Sequence, residues 1–208
     1  MVVTYGPTGP KLVVMSIGRP IEFDRDQALN RALNLFWAQG YRKTSLRDLC
    51  AEMRLSRSSL YSSFGDKKAV FLKSIQAYSA GLLQEFEQLA RTAKDPRQFL
   101  QSVLQDLTDE AATGKERRGC LVMNTATEFA QTDPDVAKIV ERTIEKMRTI
   151  VEGALEDGRR RGLFKADLDP KAMSFFMVST IAGMKTMVKA GRSRSELANV
   201  ARLFLVQL

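Results

Sequence analysis

The chain has 208 residues, 44% hydrophobic and 27% charged, with a net charge of +8, the composition of one good-sized core or of two small domains sharing a helix. It has no histidine, and its two cysteines, Cys50 and Cys120, lie far apart. This excludes Ser-His-Asp and Cys-His catalysis, histidine metal sites, zinc ribbons and a disulfide scaffold, and fits a reducing, cytoplasmic compartment.

No apolar run approaches the roughly 18 residues of a bilayer span, so no membrane role is expected. The charge is uneven. Residues 1–77 hold 12 basic and 6 acidic side chains, an excess of +6, whereas residues 78–208 hold 20 and 18. A small basic domain joined to a near-neutral larger one suggests a polyanion reader attached to something else. From charge alone, a solvated basic face kept for solubility fits equally well.

Residues 1–20 contain Gly6, Pro7, Gly9, Pro10, Gly18 and Pro20 and lack a secretory pattern. They read as a flexible N-terminal arm. Met15 is an alternative start. Arg19 could enter a DNA minor groove, as basic arms do, or touch nothing.

Helical periodicity begins at Asp24, a plausible N-cap. Leu29, Ala32, Leu33 and Phe36 form one apolar stripe, and Gly40 is a stop signal. A second stripe, Leu46, Leu49, Cys50 and Met53, follows the capping residues Thr44 and Ser45; Ser45 and Asp48 resemble a capping box. Ser56 then caps a short third helix with Leu60 and Phe64 inward, and Gly65-Asp66 leads into a long helix over about 67–91. Two helices joined by a three-residue turn form a helix-turn-helix. The outward residues of the third helix are Arg57, Ser58, Ser59, Tyr61, Ser62 and Ser63. Small hydroxyls permit close approach to base edges, and an arginine can read guanine with two hydrogen bonds. A short polar helix on a generic bundle surface is the competing reading.

The run from Phe36 to Leu49, followed by Leu55 to Lys67, resembles the DNA-binding domain of TetR/AcrR-family transcriptional regulators. The resemblance implies roles for individual residues. Thr44 and Ser45 would meet phosphate at the start of the second helix, and Arg47 would reach a base or the backbone. Arg57, Ser58 and Ser59 would open the recognition helix toward bases. Tyr61 would bond phosphate with Ser62 beside it, and Lys67 would neutralise another phosphate. One position departs from the family, which often has glycine where Arg54 stands. A slightly altered turn is the favoured expectation there.

Beyond residue 91, breaks at Asp95-Pro96, Thr113-Gly114, Asp133-Pro134, Gly158 to Gly162, Asp169-Pro170 and Gly191 separate helices at about 96–112, 117–131, 134–160, 170–190 and 194–207. No strand pattern is evident. The expected fold is all-α with about nine helices, a count usual for the resembled family. A helix-turn-helix DNA-binding domain at 21–75 would precede a larger effector-binding and dimerisation domain at 76–208. In that family the last two helices pair across a two-fold axis, so 170–190 and 194–207 are expected to form a homodimer on double-stranded operator DNA.

Phe86, Phe99, Val103, Met123, Phe129, Met147, Ile150, Phe175 and Met184 could line an adaptable pocket or be plain core. With few polar candidates (Asn124, Thr127, Glu128) and no histidine, a hydrophobic organic effector suits better than a metal. Cys120 lies near a helix start beside Arg117 and Arg118, a setting that favours the reactive thiolate. Gly119-Cys120-Leu121 also resembles family members that sense oxidants or electrophiles; a small packing residue is the alternative, and Cys50 reads as core. The expectation is a homodimeric, ligand-responsive repressor, cytoplasmic and nucleoid-associated when DNA-bound, released from a palindromic operator by an unidentified small molecule. Oxidation of Cys120 is the alternative switch. No catalytic role, cofactor or metal is expected.

Overall fold

A computed structural model of the chain describes residues 2–6, 9–13, 23–113, 117–129 and 132–208, the first two segments by backbone alone. The arm holds a departure from expectation. Strands β1 (Val2–Gly6) and β2 (Gly9–Val13) pair antiparallel, with Val2 opposite Val13 and Tyr5 opposite Pro10. Val2, Val3, Thr4, Tyr5, Leu12 and Val13 are strand-forming types, and their preference prevails over the glycines and prolines that suggested an irregular segment. Met15 and Arg19 lie outside the described residues.

The rest of the described chain is helical: α1 (Arg25–Gln39), α2 (Leu46–Met53), α3 (Arg57–Phe64), α4 (Lys67–Thr92), α5 (Pro96–Thr113), α6 (Leu121–Phe129), α7 (Pro134–Arg160), α8 (Pro170–Lys189) and α9 (Arg194–Gln207). Short polar side chains start these helices by accepting otherwise unpaired amides. Asp24 Oδ1 accepts from the amides of Asp26 and Gln27, both at 3.0 Å. Asp66 Oδ1 accepts from Ala69 at 2.8 Å, and Asp95 Oδ1 from Gln98 at 2.8 Å. Asp133 and Asp169 cap α7 and α8 with proline in the first turn, where a missing N–H costs nothing. Reciprocal capping boxes open α2 (Ser45 and Asp48) and α9 (Ser193 and Glu196). Each such cap contributes about 1 kcal/mol.

The turn between α2 and α3 keeps its left-handed residue. Arg54 has φ 56° and ψ 43°, the one positive φ outside glycine among the described residues. The expected altered turn is therefore not formed. The amide of Leu55 donates back to Cys50 O at 2.9 Å, and that closure of α2 requires the left-handed step.

The apolar residues form two clusters. One joins Leu100, Leu104, Met147, Leu155, Met177, Ile181 and Phe204 from α5, α7, α8 and α9. The other fills the head with Ala28, Ala32, Phe36, Leu49, Met53, Leu60, Phe64, Phe71 and Ile75. It also takes in Cys120, Val122, Phe129, Val136 and Val140 from beyond residue 76. Head and body thus share a core, with α4 running through both and α6 packed against α4 and α7.

Candidate nucleic-acid interface and effector cavity

α3 turns Leu60 and Phe64 into the core and leaves Arg57, Ser58, Tyr61 and Ser62 exposed. The Arg57 guanidinium lies 5.9 Å from the centre of the Tyr61 ring, so the two form one layer on the outer face. Ser56 Oγ accepts from the Ser59 amide at 3.1 Å and lies 2.8 Å from Ser59 Oγ. Ser59 is accordingly half-buried and tied to the cap. Ser62 Oγ donates to Ser59 O at 3.2 Å. Lys67 Nζ sits 4.2 Å from the centre of the Tyr41 ring, which orients it at the start of α4. Arg47 projects from α2 and is exposed.

Two residues depart from their expected phosphate contacts. Thr44 is 1% exposed, and its hydroxyl donates to Gly40 O at 2.7 Å and accepts from Gln39 Nε2 at 3.2 Å. Its role is to tie the α1–α2 corner. Ser45 Oγ accepts from the Asp48 amide at 3.1 Å and donates to Asp48 Oδ2 at 2.6 Å. Those bonds hold the Asp48 carboxyl below its ordinary range, so the start of α2 already carries its own anion. Exposed Lys43 and Arg42, at the same corner, went unnoticed in the sequence; their place beside the capping pair was the available signal.

The body holds a cavity of about 570 Å³. Leu82, Phe86 and Leu89 of α4, Val103 and Leu107 of α5, Cys120, Met123 of α6, Met147 of α7 and Ile181 of α8 give it apolar walls. Glu85, Asp106 and Lys185 stand among its lining. Of the expected lining, Phe86, Val103, Met123 and Met147 are there. Phe99 is buried behind Phe86, their ring centres 6.4 Å apart. Ile150 faces the α4–α5 connection, and Met184 belongs to the core beneath α9. Phe175 is 65% exposed on the outside of α8. Phe129 packs on the head, 5.3 Å from the Tyr41 ring and 5.5 Å from that of Phe71. All five satisfy the apolar helical pattern, which does not say which cavity or face a residue meets.

α6 begins at Leu121, four residues later than the periodicity suggests. Gly119 has φ 71°, and a Cβ there would stand 3.3 Å from Lys185 O, so the chain passes close against α8 before the helix starts. Cys120 is buried, and its sulfur accepts from the Tyr78 hydroxyl at 3.7 Å. Burial pushes the Tyr78 phenol well up. The adjacent arginine does not face the thiol. The Arg118 guanidinium lies 5.7 Å from the centre of the Trp37 ring and donates to Asn34 Oδ1 at 3.1 Å. The arrangement does not favour Cys120 as an oxidation switch.

These contacts also bolt the cavity wall to the head. Trp37 Nε1 donates to Gly119 O at 3.1 Å, and the Tyr78 ring stands edge-on to Trp37 at 5.1 Å. At the far end of α6, Glu128 accepts from the Arg42 amide at 3.3 Å. α6 therefore touches cavity at its start and head at both ends.

Comparison with known proteins matches residues 28–73 to the family model described as bacterial regulatory proteins, tetR family. Residues 96–204 match the tetracyclin repressor-like C-terminal domain. The HTH-type transcriptional repressor ComR of Escherichia coli K12 is 27% identical over 190 residues, 91% of this chain and 90% of ComR. An uncharacterized HTH-type regulator of Bacillus subtilis 168, YezE, is 28% identical over 150 residues, covering 72% and 73%. Among solved structures, a cysteine mutant of the TetR family regulator CifR, complexed with 26-bp double-strand operator DNA, superposes with a TM-score of 0.78 at 25% identity over 90% of this chain and 98% of the other. A TetR regulator from Chloroflexus aurantiacus shares the fold, with a TM-score of 0.79 at 20% identity, covering 88% of this chain and 92% of its own.

Proposed function

Because this chain belongs to the TetR family of transcriptional regulators, we propose that it represses transcription as a homodimer on a palindromic operator and is released when a small hydrophobic organic molecule fills the body cavity. The observation that carries this reading is α3. It is a capped helix with Leu60 and Phe64 buried and Arg57, Ser58 and Tyr61 outward, on a head that holds most of the chain's positive excess. In this reading Arg57 and Ser58 meet base edges. Tyr61, Ser62, Lys67 and Arg47 meet phosphate, with Lys43 at the flank. The cell location that follows is the cytoplasm, with the DNA. Among the described residues no helix is long and apolar enough to cross a membrane.

Dimerisation is supported by the apolar surface of the last two helices. Phe176 and Met187 of α8 and Val200, Leu203 and Val206 of α9 are each between 41% and 61% exposed. Release is supported by α6, which connects cavity and head. An effector acts only through differential affinity for two arrangements of the heads, and a molecule pressing on Met123 or Cys120 bears on the Trp37–Gly119 bond.

Selection of genomic fragments by the purified protein tests the reading. The expected product is an inverted repeat whose half-site centres lie about one helical turn, roughly 34–36 Å, apart. Enrichment of no sequence, or of single asymmetric sites, would overturn it.

A further inference from the structure

α3 has eight residues, and of these only Leu60 and Phe64 are buried. They lie one turn apart on a single line, so their packing does not by itself fix the roll or tilt of the helix. The start of α3 is held by the Ser56 cap. Its last turn has no basic residue of its own. Two cations reach that end from other helices instead. The guanidinium of Arg25, the first residue of α1, donates to Ser63 O. The ammonium of Lys73, on α4, donates to Phe64 O at 3.2 Å. Both also lie against the Phe64 ring, 5.6 Å and 5.5 Å from its centre. Two of the carbonyls that a helix end leaves unpaired are thus satisfied from α1 and α4, and both partners are positive, as the negative end of a helix favours.

We propose that Arg25 and Lys73 are positioning residues for operator recognition: they clamp the last carbonyls of α3, fix its tilt, and so set where Arg57 and Ser58 meet the bases. The inference rests on α3 being the helix that reads DNA. Arg57 opens α3 and Phe64 closes it, a separation of about 10 Å along the axis. A tilt of about 10° at the clamped end then moves Arg57 by about 2 Å, several times the range of about 0.5 Å over which an N–H···O hydrogen bond keeps its strength. Bonds to base edges are lost by such a shift. Contacts to phosphate, made by long flexible side chains to a repeating backbone, follow it. Removal of the clamp therefore costs sequence preference before it costs general affinity for duplex DNA.

Anisotropy titration of the full-length protein on the selected operator and on scrambled duplex, across a range of salt, tests this with Arg25→Met and Lys73→Met. Each variant keeps an apolar stem against Phe64 and removes the donor and its charge. Each should weaken operator binding at least about threefold, the effect expected of a cation lost from a helix C-terminus, and leave scrambled-duplex binding and the salt slope as in the parent. Arg25→Lys and Lys73→Arg, which restore a cationic donor, should recover the operator affinity. Methionine variants that bind operator as tightly as the parent would overturn the proposal, as would a loss that the conservative variants do not recover. Equal weakening on both duplexes, with the salt slope lowered by about one, would make Arg25 and Lys73 phosphate contacts instead. A parent that prefers no duplex sequence would remove the DNA reading of α3, and the clamp with it. The two residues lie on different helices, so a folding defect in one variant, read by urea denaturation, leaves the other to decide.

Discussion

Arg54 occupies a left-handed conformation, φ 56°, that disfavours side chains bearing a Cβ by about 1 kcal/mol or more. Arg54 is exposed, and among the described residues its guanidinium makes no hydrogen bond or ion pair that would offset the cost. Arg54→Gly should therefore raise stability by about 0.5–1 kcal/mol, the relieved strain less the entropy that glycine adds to the unfolded chain. Urea denaturation measures it, and a loss of stability would mean that the arginine side chain contributes to the turn. At this scale the sequence revealed the turn position but not its geometry. A glycine would have advertised the left-handed step; an arginine concealed it. Thr44 is a similar case. Its hydroxyl type suits both a phosphate contact and a corner bond to Gly40 O, and only its 1% exposure separates them.

Among the elements, α6 links the two halves of the molecule, and Phe129 at its end is the ring on which head and body meet. It packs between Tyr41 and Phe71, which in turn flank the buried Phe36. Phe129→Ala should lower stability by about 3 kcal/mol or more and should also weaken operator binding, though the residue is on a body helix. Denaturation and operator titration of the same variant check this. A loss below about 1 kcal/mol with unchanged operator affinity would show that the head holds its shape without α6. The helices themselves were largely legible, because Asp24, Ser45, Ser56, Asp66, Asp133, Asp169 and Ser193 each stand where a cap is needed. α9 illustrates the strength of such signals. Its box residue Glu196 is held down to about 2, first by Arg192 and then by Ser193. The destination of Phe129 was not legible. An apolar residue at helical spacing is equally suited to a cavity wall, a core or a junction, and which it meets is set by helix packing rather than by local pattern.

At the scale of the whole molecule, a positively charged head presents α3, a near-neutral body carries a cavity with apolar walls, and the outer faces of α8 and α9 expose apolar surface. The division of charge at residue 77 and the motif around α3 announced this plan. The shared core did not show in the sequence, because Cys120, Val122 and Val136 lie far along the chain from the helices they pack on. The central claim is that the outward face of α3, with Lys67 beside it, reads duplex DNA. Its most direct test is a fluorescence-anisotropy titration of the selected operator and of scrambled duplex over a range of salt, with the parent, Arg57→Ala, Tyr61→Phe and Lys67→Ala. Arg57→Ala should cost roughly 1–3 kcal/mol on the operator and narrow its advantage over scrambled DNA. Tyr61→Phe and Lys67→Ala should weaken both duplexes alike, the lysine variant also lowering the salt slope by about one. Three variants that bind operator as the parent does, at every salt concentration, would contradict the account.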